Sequence, residues 1–124
     1  MCMKRTSRIK VAKEDIPVWK VMKKYYGTKQ VVTCFQGTPI EHLLTERLNL
    51  NDIFEGELAG YHCYPERSTA LALKKAMAYT KVFVKKMYIP KGAKYVKGVD
   101  FQCSEATNGK PVYQASILKL KSNV

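Results

Sequence analysis

Apolar positions along this chain recur with two spacings, and each change of spacing marks a change of element. In PVWKVMKKYY, residues 17–26, they alternate, and RIKV, residues 8–11, reads as a shorter strand of the same kind. Alternation puts Val18, Lys20 and Met22 on one face and Trp19, Val21 and Lys23 on the other. Neither face is purely apolar, so an edge or partly exposed strand opened by Pro17 is expected, with Trp19 as a core anchor. Gly27-Thr28 reads as a turn, and KQVVTCF, residues 29–35, as a central strand because of its β-branched content.

The spacing then lengthens. Thr38, Pro39 and Glu41 spell a capping box with proline at the first helical position. Ile40, Leu43, Leu44 and Leu48 line one helical face, and His42 falls off it into solvent. The following NLNDIFEGELAG reads as an acidic connection with room for one helical turn. A short strand, Tyr61 to Tyr64, sends Tyr61 and Cys63 one way and His62 and Tyr64 the other. Pro65 is suited to open a helix running to about Tyr79, with Ala70, Leu73 and Met77 as its apolar stripe.

Alternation returns in residues 82–89 and in AKYVKG, on either side of a Pro90–Gly92 turn. Asn108-Gly109 is a type I′ hairpin signal between FQCSEA and PVYQASILKL. The order predicts an α+β fold: one domain over residues 1–124, with a bent or split, mostly antiparallel sheet and two main helices. Residues 1–7 read as a flexible basic N-terminus.

Charge changes the picture most. The net charge is +12, and it is segregated. Residues 1–29 hold nine basic and two acidic side chains, residues 30–66 one basic and six acidic, and residues 67–97 nine basic and none acidic. A fold joining the first and third segments would attract polyanions. The basic start lacks an apolar stretch behind it, and no apolar run approaches the ~20 residues a membrane helix needs. A cytoplasmic protein is expected, in the host's cytoplasm if the chain is viral, with no membrane partner.

Cys2, Cys34, Cys63 and Cys103 form no C-x-x-C pair and read as free thiols. A zinc site from Cys34, His62, Cys63 and Cys103 has the wrong spacing for zinc modules, so neither metal nor cofactor is expected. There is no P-loop, no G-x-G-x-x-G and no H-E-x-x-H, and His62 and Cys63 point apart as strand neighbours. Eight tyrosines lie among twenty-two basic residues, and as a set they suit a nucleobase with its phosphates. The strand VWKVMKKYY could be an open edge through which a homo-oligomer forms, or its lysines could guard that edge.

GYHCY before an alanine-containing helix, with FVKKMYIPKGAKYVKG leading to YQASILKL, resembles a group of small proteins of bacteria and their phages. The glycine–aromatic strand running into that helix also resembles the central element of ADP-ribosyltransferase-type folds. That likeness implies a nucleotide pocket between two small sheets and a glutamate on a late strand. Here the late acids are Asp100 and Glu105, outside any E-x-E or Q-x-E pattern.

Three readings follow. The first is a non-enzymatic binder of a nucleotide-like anion, such as a phage protein sequestering a host immune nucleotide signal. The second is a polynucleotide-binding protein, and the third an ADP-ribosyltransferase-like enzyme. The expected ligand site of the first reading places His62 and Tyr64 in a pocket beside a helix N-terminus. Arg67 and Ser68 supply donors there, and Lys85, Lys86, Lys91 and Lys94 the counter-charge.

Overall fold

The computed structural model describes residues 3–24, 30–34, 37–54, 57–77, 81–101 and 105–122. In chain order the elements are β1 (Met3–Arg5), β2 (Lys10–Val11), β3 (Ile16–Lys24), β4 (Val31–Thr33), α1 (Ile40–Thr45), β5 (Ile53–Phe54), β6 (Glu57–Leu58), β7 (Tyr61–Cys63), α2 (Arg67–Ala76), β8 (Val82–Ile89), β9 (Lys94–Asp100) and β10 (Pro111–Ala115). One antiparallel sheet runs β1-β9-β10-β7, with β2 also on β9; a second runs β4-β3-β8; β5 and β6 form a hairpin. This is the expected α+β class with a split sheet. Two isolated bridges, Trp19↔Tyr64 and Tyr88↔Lys119, tie the sheets together at their ends.

Strand alternation builds two cores. Val18, Met87 and Ile89 of the second sheet meet Tyr61, Cys63, Tyr95 and Ala115 of the first, and Leu43 of α1 joins them. Val21, Tyr64, Val82 and Val112 join Ala70 and Leu73 of α2 in the second cluster. The apolar residues expected to face the core from α1 and α2 do so, although Leu48 and Met77 lie beyond the helix ends. Trp19 is only half-buried: it packs on the second cluster, and Lys86 Nζ sits 5.7 Å from its ring centroid. It is an edge residue of that cluster rather than a fully enclosed anchor.

Several boundaries differ from those the sequence predicts. Residues 3–5 are a strand, not a loose arm: Met3 packs on the second cluster and Arg5 is tied by hydrogen bonds. The close seat of β1 on β9 needs Gly98, because a side chain there would overlap the Lys4 carbonyl oxygen and Met3 Cε. Pro39, not Thr38, caps α1, with no side-chain cap; the Thr38 amide instead donates to Thr33 Oγ1 at 3.0 Å. The acidic connection forms the β5–β6 hairpin. Helix α2 starts at Arg67, two residues beyond Pro65, and ends at Ala76. Gly109 has φ 77°, but Asn108 is outside the left-handed region, so the turn is not type I′. The Gly27-Thr28 turn, Tyr79, Cys2 and Cys103 lie outside the described residues.

The two basic segments do come together. β1 and β2 pair with β9, and β3 pairs with β8 along its whole length. No helix among the described residues is long and apolar enough to cross a membrane.

Candidate functional site

A cleft opens beside β7. Its outer part, about 520 Å³, lies between the β5–β6 hairpin and α1 and is lined by Thr38, His42, Leu48, Asp52, Ile53, Leu58, Ala59, Gly60, Tyr61 and His62. A recess of about 50 Å³ shares Thr38, Gly60, Tyr61 and His62 with it and adds Lys20, Val21, Thr33, Cys34, Tyr64 and Leu73. The outer part is in the size range of small-ligand sites. Among the described residues its wall carries Asp52 and neither lysine nor arginine.

His62 stands where the two parts meet, and its state is set by a hydrogen-bond chain. Arg5 Nε donates to Gln114 Oε1 at 2.8 Å, and Arg5 Nη2 donates to the Leu50 and Ala59 carbonyls. Arginine can only donate, so it fixes the Gln114 amide with its NH₂ toward Leu58 O and His62 Nε2, 3.2 and 3.4 Å away. His62 Nε2 therefore accepts and the proton sits on Nδ1, which leaves Nδ1–H as a donor. Burial, then the charges of Lys20 and Arg5, push the imidazole down to about 3, so the ring is neutral near pH 7. Gly60 lets this chain form: with φ 154°, a Cβ there would lie 2.8 Å from Gln114 Cβ.

Lys20 is the buried cation of the recess. It shares the inward face of β3 with Val18 and Met22, and its Nζ donates to the His62 carbonyl. Burial lowers its proton affinity, while Cys63 and Cys34 oppose that shift. Burial also raises Cys34, and it pushes Cys63 up to about 12, so both are thiols at neutral pH. Tyr61 spans to α1, donating to the Glu46 and His42 carbonyls at 2.6 and 3.2 Å; burial and then Glu46 push it up to about 12. Among the described residues no group of three His, Cys, Asp or Glu side chains could hold a metal.

The expected site residues separate. Alternation at β7 holds in part: Tyr61 and Cys63 are core and His62 lines the cleft, but Tyr61 lines both parts of the cleft as well. Tyr64 touches the recess but is 3% exposed, belongs to the second core and donates to Asp100 Oδ2 at 3.1 Å. Arg67 and Ser68 open α2 on its exposed side, because the Ala70–Leu73 stripe faces the sheet. Lys85, Lys86, Lys91 and Lys94 are exposed and line neither part of the cleft. Lys85 pairs in register with Lys20, yet its side chain is exposed while that of Lys20 is half-buried and lines the recess.

Asp100, which is fully buried, and Glu105, exposed in the last turn, also lie outside the cleft. Sequence reading missed Arg5, Lys20 and Gln114. Lys20 had a signal, a lone lysine on the Val18–Met22 face; Arg5 and Gln114 had none, since their partners lie 109 residues apart.

A second candidate surface is the basic band along the paired strands. All nine basic residues of segment 67–97 are exposed. Lys86 lies over both Trp19 and Tyr88, at 5.7 and 5.6 Å from the ring centroids, and Lys97 over Tyr113 at 5.8 Å. No protein family, curated protein or solved structure matches the chain.

Proposed function

We propose that the protein is a non-enzymatic binder of nucleic acid, holding a polynucleotide along the basic band by its phosphates. The observation that carries this reading is strand pairing. It sets β1 and β2 against β9, and β3 against β8, merging two lysine-rich segments whose 67–97 portion has no carboxylate. Charges spread over an open surface match a ligand whose charges are also spread, and counterion release then supplies the affinity. Aromatic rings under Lys86 and Lys97 give bases a surface to stack on.

A small nucleotide-like ligand, such as a host immune signal sequestered by a phage protein, is the second reading. The volume of the cleft favours it; the Asp52 rim and the absence of lining arginine weigh against it. The ADP-ribosyltransferase-like reading needs a late-strand acid in the cleft, and the late acids Asp100 and Glu105 do not line it.

Titration of labelled single- and double-stranded 20-mers against a potassium chloride series tests the proposal. A steep fall of affinity with salt supports it. Tight, salt-insensitive binding of a cyclic dinucleotide or ADP-ribose, with no oligonucleotide binding, would replace it with the pocket reading.

A further inference from the structure

The cleft holds a feature that the polynucleotide reading does not use. The half-buried Lys20 side chain brings its amine to the inner end, with one hydrogen-bond acceptor, the His62 carbonyl, among the described residues. An ammonium has three donors and needs a counter-charge when it leaves water. Among the described residues no carboxylate lines the recess: its polar neighbours are Thr33, Thr38, Cys34, Tyr64 and His62. At about 50 Å³ the recess has room for one small polar group, since a water molecule occupies ~30 Å³ in the liquid.

The outer end has the opposite character. Leu48, Ile53 and Leu58 line it, and Ile53 and Leu58 remain 71% and 42% exposed although both are large and apolar. Asp52 on the same wall repels a second negative group, which disfavours phosphates and dianions.

We propose that this cleft is a binding site for a small monocarboxylic acid with an apolar body. The carboxylate sits in the recess against the Lys20 amine, and the body lies along Leu48, Ile53 and Leu58. His62 Nδ1–H, left free by the Gln114 contact to Nε2, is placed at the junction to donate to the acid as it passes. A carboxylate in the recess supplies the charge partner that no described residue gives Lys20, and a charge-assisted hydrogen bond there is stronger than a neutral one. The proposal stands apart from polynucleotide binding, which uses other residues.

The test is calorimetric titration with octanoate, hexanoate and 1-octanol, followed in parallel by Trp19 fluorescence. Octanoate is expected to bind one to one, at least tenfold more tightly than 1-octanol and more tightly than hexanoate. Lys20→Met should erase the preference for the acid over the alcohol, and Leu58→Asp should erase the preference for the longer chain. Equal affinity for octanoate and 1-octanol, or no binding of either, overturns the proposal from the wild-type protein alone. An unchanged acid preference in folded Lys20→Met overturns it as well.

Discussion

The cleft beside β7 and the basic band along β8 and β9 are opposites in charge and in burial. The cleft is walled mostly by the acidic segment 30–66, and its cation, Lys20, comes from β3 and is half-buried. The band carries Lys85, Lys86, Lys94 and Lys97 on its two strands, all exposed, and none of them lines the cleft. Volume and positive charge are therefore supplied by different parts of the molecule. A pocket for a highly charged nucleotide needs both in one place, whereas a polynucleotide surface needs only the charge.

The strongest way to break the comparison is to disturb the strand that serves both regions. Gly98→Ala forces a side chain into β1, which holds Arg5, and should cost about 3 kcal/mol by overpacking. Chemical denaturation checks this; a loss under about 1 kcal/mol would mean that β1 can shift without cost.

Acid should act on the cleft through His62. The unfolded chain protonates His62 near pH 6.5 and the folded chain only near about 3. Between those values the unfolded state holds the extra proton, so stability falls as pH falls, by about 1.4 kcal/mol per pH unit at most. His62→Gln should flatten that part of the pH–stability curve. A mutant curve as steep as that of the wild type would show that His62 is not held neutral.

Lys20→Met sharpens the contrast from the other side. A buried amine without a charge partner is a burden to the fold, and an apolar side chain of similar length should leave stability unchanged or raise it by about 1 kcal/mol. Lys20 would then be retained for what it binds. A thermal melt lowered by more than that amount would instead make Lys20 a structural residue, held by its bond to the His62 carbonyl.

The sequence disclosed the period-two and helical faces well, because one apolar side chain in the wrong place is costly. Val18 and Val21 do go to different cores, and Ala70 and Leu73 do bury. The alternation of Tyr61 to Cys63 also placed His62 correctly. What stayed hidden depended on long-range partners. Tyr64 looked free for ligand until Asp100 and the second core took it up. The lysines of β8 and β9 looked like a pocket's counter-charge, because proximity in sequence to His62 says nothing about which side of a sheet faces it. The acidic connection became a strand pair in which Ile53 sits opposite Leu58 and Phe54 opposite Glu57, and no periodic pattern announced it.

The central claim is that phosphates engage the band and not the cleft. Fluorescence anisotropy of a labelled single-stranded 20-mer over a potassium chloride series decides it, with wild type, Lys85→Glu/Lys86→Glu and His62→Ala compared. The account predicts a steep salt slope for wild type. The double charge reversal should weaken affinity at least tenfold and reduce the slope by roughly one to two, as two lost phosphate contacts require, and His62→Ala should leave both unchanged. Loss of binding in His62→Ala with wild-type behaviour in Lys85→Glu/Lys86→Glu would contradict it.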